Sequence, residues 1–468
     1  VSAAPVFSSG LPGIQTTRIR RLNEREAAAG RYVLYWMQQA QRAGMNHALE
    51  YALWEADRRG LGVVVGFGLT DDYPEANQRH YAFMLEGLRE TRAALARRGV
   101  LLAVRRGSPP EVALGLGREA AVIVCDRGYL RHQAAWRRRV AEAAACAVIE
   151  IESDAVVPVE AASVKAEIGA RTLRPRIMRQ IAAYLVELPA APVRVPTAGW
   201  DIASLNLEEP AALLAGLRID RGVGPVRPHF QGGASEASRR FAEFVRRGLA
   251  RYDQNHNQPQ TDDISHMSPY LHFGQVSPLA LALEASAAPV PESARAAFIE
   301  ELVVRRELAI NFVRYTPDYD AYRALPAWAR ESLAAHAGDP RPRRYRPEEL
   351  EAAATHDPYW NAAMREMICT GFMHNYMRMY WGKKILEWSA TPEEGFATTL
   401  SLNNKYFLDG RDPNSYAGVA WIYGTHDRAW PERPIYGKVR CMLASGLERK
   451  CDIRAYVRKV EALCRRGG

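Results

Sequence analysis

The chain has 468 residues, 48% hydrophobic and 25% charged, with a formal net charge of +9 and a pI of about 9.2. That length supplies core for two or three domains, and the composition excludes a disordered polymer or a membrane bundle. The excess of Arg and Lys favours a polyanion partner.

No apolar run is long enough to span a bilayer and no signal-peptide pattern is visible, so a cytoplasmic protein is expected. Six cysteines, Cys125, Cys146, Cys369, Cys441, Cys451 and Cys464, show no metal-ligand spacing. They are expected as reduced thiols, with no metal site.

Residues 1–30 lack a core pattern and read as an N-terminal arm. From Arg31, short apolar runs fall at Tyr32–Trp36, Gly62–Phe67, Val100–Val104, Ala121–Cys125 and Ala147–Ile151. Helical stretches such as Asn46–Arg59 and Asn77–Arg98 separate them. This rhythm predicts an α/β domain over 31–160, Rossmann-like, with a parallel sheet and right-handed crossovers. Such sheets bind ligands beyond the carboxyl ends of their strands, here Met37–Gln41, Gly68–Tyr73 and Asp126–Tyr129. Gly66-Phe67-Gly68 is too short for a dinucleotide fingerprint. Arg137, Arg138 and Arg139 read as a solvated helix face.

Residues 161–234 read as a long linker, rich in Pro, Gly and Ala from Leu188 onward. From about Ser235 to the end only helices are expected, beginning with the apolar face Phe241, Phe244, Val245, Leu249 and Tyr252. Ser265-His266-Met267-Ser268 precedes Pro269, which gathers hydroxyls and free N–H groups at a helix start. Glu301, Arg305 and Arg306 share one helix, with an i,i+4 pair available. Arg341, Arg343, Arg344 and Arg346 form a basic loop. Asp357-Pro358, Thr391-Pro392 and Asp412-Pro413 mark three more helix starts. Trp381 and Trp388, seven residues apart, lie on nearly one face of a helix, an ordinary core stripe by spacing alone.

Longer segments carry more. HDPYWNAAMREM (His356–Met367), MHNYMRMYWGKKILEW (Met373–Trp388), YFLDGRDPNSYAGVAW (Tyr406–Trp421) and HDRAWPERPIYGKVRCM (His426–Met442) resemble the C-terminal signature of class II cyclobutane pyrimidine dimer photolyases. SPYLHFGQVSP (Ser268–Pro278) and EELVVRRELAINF (Glu300–Phe312) extend the likeness, and AASVKAEIGARTLRPRI (Ala161–Ile177) resembles the family's interdomain segment.

The resemblance implies an antenna-type α/β domain followed by a helical FAD-binding domain over 235–468. It implies light-driven splitting of pyrimidine dimers in DNA, by electron transfer from reduced FAD to a flipped-out dimer. Tyr252, Ser265, His266, Met267, Ser268, Arg378, Asn403, Asp409, Gly410, Asn414 and Gly418 would hold the flavin. Asn403 would lie beside flavin N5, and Arg378 with Asp409 beside the ring edge. Glu301, Met379 and Trp421 would meet the dimer. Trp381, Trp360 and Trp388 would pass an oxidising equivalent outward. His256, Arg305, Arg343, Arg344 and Trp421 would contact UV-damaged DNA.

The family's antenna, a deazaflavin or a folate, is left open by departures around Tyr35–Gly44 and Asp126–Arg131. His256 stands where relatives usually have Arg, and Asn404 where they often have Asp. A monomer is expected, near the nucleoid in a prokaryote. A photolyase-like light receptor, a (6-4) photolyase and a flavin-free nucleic-acid-binding module are the alternatives.

Overall fold

Three strands of the N-terminal half are buried along their whole length, because helices cover both faces of their sheet. In the computed structural model, which describes residues 11 and 13–466, six strands form this sheet. They are β1 (Ile19–Arg21), β2 (Tyr32–Trp36), β3 (Gly62–Leu69), β4 (Leu101–Arg106), β5 (Ala120–Asp126) and β6 (Ala147–Ile151), in the order β1-β6-β5-β2-β3-β4. All pairs are parallel except β1 with β6.

Side chains alternate across each strand. Val33 and Tyr35 pack with α1 (His47–Asp57) and α2 (Gln78–Arg97). Tyr32, Leu34 and Trp36 face α3 (Pro109–Gly117) and α4 (Arg131–Ala143). The strand order reverses between β5 and β2, where this sheet class opens a ligand crevice. Here Asp126 fills it. Its Oδ2 accepts from the backbone N–H of Gln38, Gln39 and Ala40 at 3.1, 3.0 and 3.1 Å, and its Oδ1 from the Tyr35 hydroxyl at 2.7 Å.

Three expectations need correction. The arm is part of the sheet: β1 lies within it, and the buried Arg18 donates to the carbonyls of Glu152, Ala155 and Val156. Residues 1–10 and 12 lie outside the described residues. A three-residue strand with two Arg carries too little alternation to be seen in sequence. Arg137 is not solvated. It is buried against the Trp36 ring at 5.3 Å and donates to the carbonyls of Asp126 and Gln133. Cys369 and Cys464 are paired as a disulfide, with Cα atoms 5.5 Å apart. Their helices, Pro358–Thr370 and Ile453–Arg466, pack side by side although 95 residues separate the two cysteines.

The Pro/Gly-rich stretch runs along the outer edge of β4. Leu205 donates its N–H to the Val104 carbonyl at 2.7 Å, and Ser204 and Thr197 hydroxyls accept from Val104 and Leu101. The edge strand is thereby covered. Beyond Ala234 every regular element described is helical. Buried polar groups lock it to the sheet domain: Arg79 donates to the carbonyls of Met367, Ile368 and Tyr406, and Glu307 accepts from the N–H groups of Val156 and Val157. No helix among the described residues is long and apolar enough to cross a membrane.

Candidate active site

A cavity of about 300 Å3 lies within the helical half. It is walled by the helices Asn375–Trp388, Pro392–Tyr406 and Pro413–Ile422 and by the segment Glu300–Tyr315. Each of the first three starts where the sequence predicted or near it: Thr391 and Asp412 accept from Glu394 N–H and Asn414 N–H, and His374 caps the helix after Gly371.

The fourth wall departs from the sequence reading. Glu300–Arg305 is a π-helical turn, which brings residues five apart onto one side. Arg305 therefore pairs with Glu300 at 3.0 Å rather than with Glu301. Glu301 is left facing the cavity, where burial pushes its carboxyl up from the usual range. Arg305 also covers the Trp421 ring, 5.6 Å from its centroid. Arg306 is buried and donates to the Asp154 carbonyl.

Arg378 and Asp409 form an ion pair in the wall, with Nη2 at 3.1 and 3.0 Å from the two carboxylate oxygens. The guanidinium lies 3.9 Å from the Phe407 ring centroid. Asn403 lines the cavity beside it, its Nδ2 donating to Asn404 Oδ1 at 3.0 Å and Ser415 Oγ at 2.9 Å. Asp412 and His272 sit 3.2 Å apart. Burial works against the Asp412 carboxylate, but the hydrogen bond and charge of His272 hold it below its ordinary value. Gly418 leaves open space where a Cβ would project, whereas a Cβ at Gly410 would meet the Asn403 and Phe407 carbonyl oxygens at 3.0 Å.

Tyr252, Ser265, Met267 and Ser268 also line the wall. The short helix Ser268–His272 has no side-chain cap, so its first N–H groups have no capping partner. Trp381 lines the cavity, and its buried Nε1 has no protein partner. Trp360 donates from Nε1 to the Trp381 carbonyl at 2.9 Å, and its ring lies 5.4 Å from Trp388. All three indoles are buried. Tyr345 and His356 pack on Trp388 at 5.1 and 5.6 Å.

The family model described as DNA photolyase matches residues 33–194. A deoxyribodipyrimidine photo-lyase of Methanothermobacter thermautotrophicus is 48% identical over 453 residues, covering 96% of this chain and 99% of that protein. The chain belongs to the DNA photolyase family. A deoxyribodipyrimidine photo-lyase of Oryza sativa subsp. japonica is 38% identical over 96% of the chain and 91% of its own length. Among solved structures, a class III photolyase of Agrobacterium tumefaciens superposes with a TM-score of 0.72 at 17% identity, covering 93% of this chain and 87% of that one. A Synechocystis cryptochrome gives 0.68 at 15%, with coverages of 93% and 88%. These two share the fold.

In this photolyase the cavity gathers most of the residues singled out by sequence: Tyr252, Ser265, Met267, Ser268, Glu301, Arg305, Arg378, Met379, Trp381, Asn403, Asp409, Asn414, Gly418 and Trp421. Others lie behind it. Gly410 sits under Asn403, and His266 is held by Asp262 at 3.2 Å and Phe372 at 4.8 Å. His256 stacks on Tyr252 at 5.1 Å, its ring nitrogens engaged by Tyr252 O and Asn257. Arg343 and Arg344 are exposed but belong to the loop whose Tyr345 covers Trp388, and they do not line the cavity. Sequence reading missed Asn375, Phe407, His426 and the Asp412–His272 pair. Asp412 was legible only as a helix cap.

The donor set fits a flavin dinucleotide. It has apolar walls for a ring system, an ion pair and an amide, a Gly418 gap, the unpaired Trp381 Nε1, and hydroxyls beside a helix start that no side chain caps. No cluster of potential metal ligands occurs among the described residues. A second cleft at the strand ends holds about 60 Å3, lined by Gln38, Gln39, Tyr73, Gln133 and Arg411 among others. Gln133 donates across it to Gln39 at 3.0 Å and Tyr73 at 3.2 Å. Small-molecule sites run to several hundred Å3.

Proposed function

We propose that this photolyase is a class II enzyme that repairs cyclobutane pyrimidine dimers in DNA, with reduced FAD held in the helical cavity. Bound reduced FAD supplies the light-driven electron that opens the cyclobutane ring. The observation that carries the reading is the convergence of Glu301, Met379 and Trp421 on the same cavity as the Arg378–Asp409 pair and Asn403. The class II assignment is supported by the likeness of the long segments His356–Met367, Met373–Trp388, Tyr406–Trp421 and His426–Met442 to that class.

Each residue has a task that follows from its setting. Trp421 and Met379 offer a flat and a soft apolar surface to a flipped pyrimidine dimer. Glu301, with its carboxyl pushed up by burial, lines the cavity where it can hydrogen-bond a pyrimidine ring. Arg378 and Asp409 neutralise each other in the wall, so the cavity gains hydrogen-bonding groups without net charge. Asn403 presents Oδ1 as an acceptor, since its Nδ2 is already used twice. Trp381, Trp360 and Trp388 form a row that would carry an oxidising equivalent away from the bound flavin, a route that would serve activation rather than repair. The protein acts as a cytoplasmic monomer on UV-damaged DNA, aided by its net charge of +9.

The deciding experiment is blue-light-dependent repair of a thymine-dimer oligonucleotide by chemically reduced protein, with a dark control. Repair in light alone is expected. Bound reduced FAD and lesion binding without repair would point instead to a light receptor, and colourless protein would remove the flavin reading altogether.

A further inference from the structure

Four large hydrophobic side chains stand out as exposed among the described residues, and three of them, Val164, Ile168 and Met178, fall between 164 and 178. Val164 and Ile168 are 80% and 82% exposed. They do not sit on a loose loop. The Glu167 N–H donates to Asn311 Oδ1 at 2.8 Å, and Asn311 Nδ2 donates to the Lys165 carbonyl at 2.9 Å. Ser163 Oγ donates to Glu167 at 2.7 Å, and the Ile168 carbonyl bonds His426 Nδ1 at 3.0 Å. The backbone is pinned from below while the apolar tips face outward.

The loop lies at the cavity. His426 is one of the cavity's lining residues, and Asn311 belongs to the helix that continues from Glu301 and Arg305. One turn further on, Arg174 pairs with Glu300 at 2.6 Å, which in turn holds Arg305. In the same stretch of chain, Lys165, Arg171 and Arg179 are exposed and have no carboxylate within salt-bridge distance among the described residues. Exposed Val and Ile are unfavourable in water. A pinned, exposed apolar pair in a stretch that also carries unpaired cations, bonded to a residue of the cavity wall, matches a polyanion that exposes apolar faces.

We infer that Val164 and Ile168 form an apolar wedge that enters the DNA duplex beside the extruded dimer, while Lys165, Arg171 and Arg179 bind the flanking phosphates. A flipped dimer leaves two base faces without stacking partners, and apolar side chains inserted at such a step compensate for the lost stacking. The phosphate contacts set position and give salt dependence. This inference rests on the photolyase reading and adds a surface outside the cavity to it.

The test is the double variant Val164→Ser/Ile168→Ser, exposed positions where polar residues cost little in folding. Two substrates are compared: a thymine dimer within a duplex, and the isolated dimer dinucleotide, which has no stack to enter. Loading with FAD equal to wild type verifies the fold. Duplex affinity is expected to fall roughly tenfold, with light-driven repair of the dinucleotide unchanged. Unchanged duplex affinity overturns the wedge. Equal loss on both substrates overturns it too, because the residues would then act on the dimer itself. If wild-type protein repairs neither substrate in light, the photolyase reading fails and takes this inference with it.

Discussion

Asn403 turns its amide nitrogen away from the cavity, donating to Asn404 Oδ1 at 3.0 Å. Asn404 is itself oriented from outside: its Nδ2 donates to Glu75 at 2.7 Å, and its Oδ1 also accepts from the Arg411 N–H at 3.1 Å. The orientation of Asn403, a residue of the cavity wall, thus depends on a carboxylate from the sheet domain. Asn403→Ala is expected to lower the yield of stable photoreduced flavin by roughly threefold to tenfold, the weight of one hydrogen bond. Absorption spectra under continuous illumination measure it, and an unchanged yield would remove the proposed role. Asn404→Asp would set a carboxylate against Glu75 and is expected to weaken the same effect less.

Trp381→Phe is expected to slow photoreduction of oxidised flavin at least tenfold while leaving repair by chemically reduced protein nearly intact. Trp360→Phe should do likewise, and it also forfeits the 2.9 Å bond to the Trp381 carbonyl. Transient absorption separates the two steps. If photoreduction is normal in both variants, the indoles are core packing.

Burial pushes the Glu307 carboxyl up to about 8, against the two backbone N–H groups it accepts and the charge of Arg306. The unfolded chain releases this proton near the ordinary 4.5. The associated stability is therefore fully present below that value and is lost as pH rises through about 8. Urea unfolding at pH 5 and pH 8.5 should show a loss on the order of a few kcal/mol in wild type. Glu307→Gln should flatten the difference; equal slopes would place the ionisation elsewhere.

DNA binding should weaken steeply with salt, because phosphate contacts release counterions. Arg305→Ala, beside Trp421, is expected to cost affinity for dimer-containing duplex. Titrations between 50 and 200 mM salt check both, and a flat response would argue against a phosphate-binding surface.

The action spectrum of repair should follow reduced FAD alone. The strand-end cleft is crossed by Gln133 hydrogen bonds to Gln39 and Tyr73 and holds about 60 Å3. A second absorption band active in repair would mean that these side chains yield to an antenna chromophore.

Sequence by itself determined the strands β2 to β6, because continuous apolar runs bounded by turns can satisfy their backbone only inside a covered parallel sheet. It determined the helix starts at Asp357, Thr391 and Asp412, where the cap oxygen and the following Pro act within one turn. Nearly half of the cavity lining was also legible, through long matching segments rather than spacing. What stayed hidden was set by contacts between residues far apart in the chain. The register of β1 against β6, the burial of Arg137 on Trp36 and the Cys369–Cys464 pairing each need a partner that no local pattern names. The π turn at Glu300–Arg305 is of the same kind. Local propensity favours an α-helix with Glu301 paired to Arg305, but tertiary packing inserts one extra residue per turn and frees Glu301 for the cavity.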